Sequence, residues 1–374
     1  MLLQDKTVAI LGAGPVGLTM ARLLQQQGVA VTVYERDASA QARVWGGTLD
    51  LHQETGQPAL RAAGLLADYF AQARPIGRTL VDAQCRVQLT TPPNTATPEI
   101  NRYALRQLLL GSLAPGTVQW GHKFTRLESR AGNWQLHFEG GPEATADVVI
   151  GANGGLSQAR HFVTDAQAAY TGTFIVQGEV TEPARACPNF YQRCGGNILM
   201  YAHQGRTLVA HPDNNGALTY NVSFRQPADW LRDSAPDFGQ PAQARAFLAA
   251  LFADGPACFQ ELFAASTFFV GLPARQLSLA QPWHAARPAL ITLIGDAAHV
   301  MPPFAGEGAN TGLRDARLLA DNLTRPGAFV SLEAAIADYE QQMRTYAQAA
   351  QAQTSRNELA MHQPDFSFLA RFGR

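Results

Sequence analysis

A chain of 374 residues is too long for one ordinary core, so it calls for two domains or one domain with a large insertion; its 46% hydrophobic residues can fill such a core. Charged residues make up only 16% and the formal net charge is −1, which leaves no basic stripe for a nucleic-acid partner. No run reaches the roughly 18 apolar residues of a spanning helix, and Met1–Lys6 has no basic segment leading into a long apolar one, so neither a membrane anchor nor a signal peptide is expected.

Thr7–Leu11 is a short β-prone run. From Pro15 to Gln27, the apolar Val16, Met20, Leu23 and Leu24 recur at core-facing helical spacing, and Gly28 ends the helix. Val29–Tyr34 is a second strand, parallel to the first because a helix-length crossover joins them. Between strand and helix lies Gly12-Ala13-Gly14-Pro15-Val16-Gly17, the setting a dinucleotide fingerprint requires. Gly12 permits the tight turn, Gly14 lets the backbone approach a pyrophosphate, and Gly17 lets the helix pack closely on the strand. The helix that Pro15 opens offers N–H groups and partial positive charge to phosphates. Glu35 ends the second strand, about where a ribose-binding acid falls. A merely structural glycine turn is the other reading, and the motif by itself does not separate FAD from NAD.

Thr90–Pro98, rich in Pro and Thr, is a loop. Ala146–Ser157 is again a strand entering a glycine turn, with Arg160 three residues on. Thr173–Val180, Asn197–Gln204, Thr207–His211 and Leu218–Phe224 alternate in part, with turn signals at Gln204-Gly205 and Asn214-Asn215-Gly216. They predict an antiparallel meander in a second, sheet-based domain. The buried strand Ala289–Ile294 then delivers Asp296 to a sharp turn in Leu293–His299, and the Gly-rich loop Pro302–Asn310 opens another helix. The Asp296 carboxylate is placed to accept a ribityl hydroxyl, and the loop N–H groups to face pyrophosphate or the isoalloxazine ring. Two phosphate-friendly turns so far apart suit an extended FAD better than a smaller nicotinamide cofactor. Leu332–Met361, rich in Ala and Gln, is a long helix. Cys85, Cys187, Cys194 and Cys258 form no C-x-x-C pair and read as free thiols in a reducing cytoplasm, the expected location. The nine histidines show no ligand spacing, so no metal site is expected.

The order of these three glycine-turn motifs resembles the flavoprotein aromatic hydroxylases, the group-A monooxygenases. Their third segment usually reads D-G-x-x-S-x-x-R; Asn153-Gly154 stands here instead, a change shared with the tetracycline-inactivating monooxygenases of the TetX type. The likeness to that group runs nearly end to end, through Val31–Arg36, Gly46–His52, Pro98–Arg102, Phe162–Asp165, Asn214–Leu218, Gly295–Gly306 and the tail Met361–Phe368. It implies an α/β fold: a Rossmann-like FAD/NAD(P)-binding domain with a mainly parallel sheet, an antiparallel-sheet substrate domain and a C-terminal bridging helix. The expected division is 1–57, 100–167 and 267–314 for FAD, 58–99, 168–266 and 315–344 for substrate, and 345–374 for the helix and tail.

The resemblance further implies roles for single residues. Glu35 and Arg36 hold the adenosine end, and Asp50, Arg102 and Arg106 lie near the flavin or its phosphates. Asp296, Pro303, Gly306 and Asn310 line the ribityl chain and ring, and Arg43 helps recruit NADPH. On the substrate side stand Gln177, Thr219, Asn221, Pro303, Phe304 and Gly306, with Met361 and Phe368 closing the pocket. Bland alternatives are a solvated helix charge for Arg106, a surface position for Arg43, a turn cap for Asp50 and interdomain packing for Met361 and Phe368. The group commonly carries His where this chain has Thr219, Gly where it has Asn221 and Arg where it has Ile198, which puts recognition of the same polar substrate edge in doubt. The activity implied is hydroxylation of a tetracycline by a monomer using NADPH and O₂ through a flavin C4a-hydroperoxide, with no catalytic side-chain nucleophile. Two other readings stay open: a hydroxylase of another phenol or polyketide, and a flavin-binding protein without oxygenase activity or an NAD-type dehydrogenase, the last disfavoured by the Asp296 motif.

Overall fold

The computed structural model describes residues 2–42 and 46–372. Five parallel strands form the first sheet, in the order Leu290–Leu293, Val148–Gly151, Thr7–Leu11, Ala30–Tyr34, Val118–Gln119. Val8–Leu11 and Val148–Gly151 are buried along their whole length, as strands covered on both faces must be. The helices Pro15–Gln25, Glu307–Thr324 and Leu332–Met361 share one hydrophobic cluster with this sheet. Three of its strands run out into Gly12, Asn153 and Asp296 at their carboxyl ends, the edge at which open α/β sheets take ligands. A three-stranded antiparallel sheet, Phe124–Arg130, Asn133–Phe138 and Glu143–Ala146, is inserted in sequence between the parallel strands Val118–Gln119 and Val148–Gly151.

The second large sheet has seven strands, in the order Phe268–Leu277, Ala168–Thr181, Ala217–Arg225, Arg206–Asn214, Ile198–His203, Arg78–Val81, Val87–Thr90. Neighbours pair antiparallel, as the meander reading expects, except that Ile198–His203 and Arg78–Val81 run parallel. One face, with Val176, Leu208, Leu218, Tyr220 and Val222, is sealed by the helices Pro188–Cys194, Pro241–Leu251 and Ala257–Ala265. All four cysteines are free and buried in that layer. The strand period of two turns Gln177, Thr219 and Asn221 to the opposite face. At one end of that face Leu80, Met361 and Phe368 form a small buried cluster with Met200, Val209 and Phe304 packed on it.

Two stretches pack differently from the division expected from sequence. Phe268–Leu277 pairs with Ala168–Thr181 at the edge of the seven-stranded sheet, because its alternating pattern is satisfied by that ladder. Residues 315–344 pack with the parallel sheet: Leu319, Leu323, Ile336, Tyr339 and Met343 bury against the core that holds the glycine turns. Among the described residues no helix is long and apolar enough to cross a membrane.

Candidate flavin and substrate site

The first glycine turn is held by main-chain geometry. Gly12 sits at φ +106° and donates its N–H to the Tyr34 carbonyl at 2.8 Å. A Cβ there would stand 2.6 Å from the Ala152 carbonyl oxygen, so the turn lies directly against the Asn153-Gly154 turn. A Cβ on Gly17 would stand 2.1 Å from the Gly12 carbonyl oxygen, which accounts for the third glycine. Gly14, the extended residue before the helix that Pro15 opens, has nothing within 4 Å of its Cβ position and leaves the helix N-terminus approachable. The buried Glu35 carboxylate accepts from the N–H of Ala13 at 2.7 Å and of Asp37 at 3.0 Å, stiffening the turn from the second strand. Arg36 is exposed beside it. Arg106 is no solvated charge: it is buried, pairs with Asp37 at 2.9 Å and lies over the Trp120 ring.

The second turn is built on charge. Asp315, fully buried on the helix Glu307–Thr324, accepts from the Gly295 N–H at 2.7 Å and the Tyr346 hydroxyl at 2.6 Å. His299 Nε2 lies 2.6 Å from the same carboxylate. Burial pushes the imidazole down, but the Asp315 charge and hydrogen bond outweigh it and hold His299 above its usual range. Arg160, from the third motif, reaches across and donates to the carbonyls of Gly155 at 2.8 Å, Ala297 at 2.9 Å and Asp296 at 3.2 Å. Two motifs far apart in sequence are thereby locked in one geometry.

Asp296 is then free to face outward. Its neighbours on both sides are buried, yet its own side chain keeps exposed surface in an enclosed setting. Among the described residues no hydrogen bond occupies its carboxylate. Burial raises its pKa, against the opposing charges of His299, Arg102 and Arg160. Gly308 and Gly306 flank the same space, their Cβ positions 3.9 Å from Asp296 Oδ1 and 4.0 Å from Asp50 Oδ1. Pro303 and Gly306 are exposed to it. Arg102 packs on Gly46 and donates to the Gly47 carbonyl at 3.1 Å. A glycine turn open at a helix N-terminus, an unspent carboxylate and a second glycine loop fit a long cofactor with pyrophosphate and polyol parts.

Asn310 is fully buried beside that space. Its amide accepts from the His52 N–H at 2.8 Å and donates to the carbonyls of Asp50 at 3.0 Å and Gly306 at 3.2 Å. It ties the Asp50 segment to the loop, and all its polar atoms are spent. Asp50 is held below the usual carboxylate range: burial raises it, but the hydrogen bond and charge of His52 prevail. The loop is fixed from behind by the long C-terminal helix, where Thr354 and Asn357 donate to the carbonyls of Pro302 and Phe304 at 2.9 and 2.8 Å.

Gln177 and Thr219 open into one cleft of about 410 Å³, shared with Asn101, Tyr103, Asn214 and Phe268. Asn221 lies directly opposite Gln177 on the same face but does not line that cleft. Phe304, Met361 and Phe368 stand apart from it, in the apolar cluster at the other end of the face. Arg43 lies outside the described residues. Sequence reasoning did not single out Asp315, Tyr346, Thr354, Asn357 or His211. Only His299, three residues after Asp296 on one helical turn, carried a local signal.

Two outcomes follow from this geometry. Asp296→Ala yields folded but colourless protein, checked by flavin absorbance of the purified variant; full cofactor occupancy would contradict the assignment. Asp315→Asn leaves a buried imidazolium without its counter-charge and costs about 3–5 kcal/mol in denaturant unfolding. Because His299 is raised in the fold, this deficit is largest below about pH 6.5 and shrinks as pH rises through the folded pKa.

The FAD binding domain family matches residues 5–354. A 3-amino-4-hydroxybenzoate 2-monooxygenase of Streptomyces cremeus is 29% identical, covering 88% of this chain and 81% of that protein. A kynurenine 3-monooxygenase of Salinispora arenicola is also 29% identical, covering 90% and 76%. The crystal structure of tetracycline destructase Tet(55) superposes with a TM-score of 0.79 at 20% identity, covering 98% of this chain and 93% of that one, a likeness of fold. With the glycine turn, the Asp296 turn and the loop that follows brought to one sheet edge, the chain belongs to the FAD binding domain family and is an FAD-dependent monooxygenase of the aromatic hydroxylase kind.

Proposed function

We propose that the protein uses NADPH and O₂ to hydroxylate and so inactivate a tetracycline, or a polyketide with the same enol and phenol groups. The observation that carries this reading is the lining of the Gln177–Thr219 cleft. Gln177, Thr219, Asn101 and Asn214 offer it neutral hydrogen-bonding side chains, Glu179 adds a carboxyl group, and no Lys or Arg among the described residues lines it. An aromatic carboxylate would need a cation there; a polyhydroxylated neutral edge would not. Its volume suits a drug-sized ligand.

FAD, when bound, supplies the redox and oxygen-transfer chemistry. The chain's own residues bind and shield. The helix N-terminus at Gly14 and Pro15 takes the pyrophosphate, Asp296 a ribityl hydroxyl, and Arg102 with Asp50 the ring side. Glu35 and Arg36 sit toward the adenosine end, with Arg106 bracing that region through Asp37. Pro302 and Pro303, clamped by Thr354, wall the reacting space against water, as an oxygen-transferring site requires. Arg43 remains the candidate for NADPH. Four buried, reduced thiols suit the cytoplasm, and a monomer is expected. A second reading, hydroxylation of another phenol, is favoured by Thr219 and Ile198, where the tetracycline-inactivating group carries His and Arg.

The test is NADPH oxidation by the purified holoenzyme with and without tetracycline, and the product mass. Stimulated oxidation with one oxygen atom added supports the tetracycline reading; unchanged tetracycline with turnover of another phenol supports the second. If tetracycline is the substrate, Gln177→Ala removes one hydrogen bond and raises KM about 2- to 10-fold with FAD content unchanged.

A further inference from the structure

We propose that Cys85 and Cys258 form a peroxide-sensitive dithiol, oxidised reversibly to a disulfide that ties the Asp82–Arg86 turn to the helix layer behind the large sheet. The proposal needs the fold alone and is independent of which substrate the cleft takes.

The two thiols come from segments far apart in sequence. Cys85 sits in the turn between the strands Arg78–Val81 and Val87–Thr90, at φ +59°. Glycine and asparagine favour that left-handed conformation, and cysteine rarely adopts it. Asp82 holds the turn. Its carbonyl accepts from the Cys85 N–H at 2.9 Å, and its carboxylate from the N–H groups of Gln84 at 3.0 Å and Arg86 at 2.9 Å. From the helix Pro188–Cys194, Arg193 donates to the Cys85 carbonyl at 2.8 Å. The turn therefore presents a fully buried thiol inward, to the layer of helices. There it meets Cys258, the second residue of the helix Ala257–Ala265, and the two thiols hydrogen-bond each other. Thiols in such contact reach the roughly 2 Å of an S–S bond by small side-chain rotations.

The pair is chemically unequal. The Cys85 hydrogen bond, the Arg193 charge and a backbone N–H lower the pKa of Cys258, against burial and Glu261. The free N–H groups of a first helical turn favour a thiolate in the same sense. Cys85 is raised by that same hydrogen bond, by burial and by the neighbouring Cys258 and Cys194, with Arg193 opposing. Cys258 keeps 8% of its surface exposed, whereas Cys85 has none. Cys258 is thus the attacking sulfur and Cys85 the resolving one. Burial holds the other two thiols protonated, Cys194 with its Sγ 3.6 Å from the Phe190 carbonyl. Among the described residues no three His, Cys, Asp or Glu side chains are grouped to hold a metal, which leaves redox chemistry for the pair.

Hydrogen peroxide, the product when O₂ is reduced without oxygen transfer to a substrate, is the oxidant. The Cys258 thiolate attacks one peroxide oxygen: the S–O bond forms, the O–O bond breaks, and the departing hydroxide takes the proton that Cys258 had lost. Cys85 then attacks the sulfenic sulfur of Cys258. The S–S bond forms, hydroxide leaves that sulfur, and the Cys85 proton completes the second water. Two thiols give up two electrons and two protons, and one peroxide becomes two waters.

The test treats full-length holoenzyme, freed of reductant, with hydrogen peroxide. Remaining thiols are then blocked with a maleimide in denaturant and the peptides are mapped by mass. The expected result is a cross-linked Cys85–Cys258 peptide, an intact mass lower by about 2 Da, and full reversal by dithiothreitol. In Cys85→Ala, Cys258 stops as a sulfenic acid that dimedone captures, and Cys258→Ala leaves Cys85 reduced. Bound-flavin absorbance identifies the variants that fold, and the wild-type map decides by itself where one does not. Four thiols that stay reduced, a cross-link through Cys187 or Cys194, or overoxidation of Cys258 without a cross-link overturns the proposal. Dimedone capture at Cys85 in place of Cys258 in the wild type does the same.

Discussion

The Asp315 carboxylate has no exposed surface, and four chain segments depend on it. It holds the start of the Asp296 turn through Gly295, the end of that turn through His299 and the long C-terminal helix through Tyr346, while itself riding on the helix that the glycine loop opens. A charge at such depth is tolerated only when its hydrogen-bonding capacity is filled. Here it is filled by groups whose positions determine where Asp296 points. Arg160 completes the frame from the other side with three carbonyl contacts. The outward Asp296 carboxylate is thus a consequence of two buried charged side chains, Asp315 and Arg160.

The same economy divides the seven-stranded sheet. One face is apolar and closed by helices; the other keeps polar side chains in the middle and an aromatic cap at one end. The long helix belongs to both units: its Tyr339 and Met343 pack in the core of the parallel sheet, its Met361 in the cap over the large sheet. Glu358 near its end is buried with a bond from Thr171 at 2.5 Å and Arg225 3.7 Å away. One helix therefore sets the spacing between the Pro302–Asn310 loop and the Gln177–Thr219 face of the large sheet.

The legible parts were those encoded by neighbours in the chain. Gly12, Gly14 and Gly17 reveal their turn because the constraint spans six residues, and Asp296 stands out because a buried strand, a turn and a glycine loop are contiguous. The long helix was legible residue for residue over Leu332–Met361. Arg106 was open to misreading because its partner, Asp37, is 69 positions away, and nothing local separates a buried pair from a solvated charge. Asn310 was expected to line the ribityl chain and ring, and nothing local revealed that its amide also ties down the Asp50 segment more than 250 residues earlier. Arg78–Val81 escaped because a four-residue strand has too little periodicity to register, and its pairing with Ile198–His203 is tertiary. Thr219 marks the same limit in a different way. The resemblance to the tetracycline-inactivating group implies a ring lost at that position, whereas the strand register shows His211 directly across from it.

The layer of helices behind the large sheet has its own consequence. Burial keeps Cys187 and Cys194 protonated, raised to about 11 and about 12; the hydrogen bond between Cys85 and Cys258, with burial, raises Cys85, and the same bond lowers Cys258. A protonated, enclosed thiol is a poor nucleophile, so an alkylating reagent gains the Cys187 and Cys194 sulfurs only when the helices part from the strands. The rate of their modification is then a clock for that opening. It runs on the side of the sheet turned away from Gln177 and Thr219, and reports how firmly that face is backed.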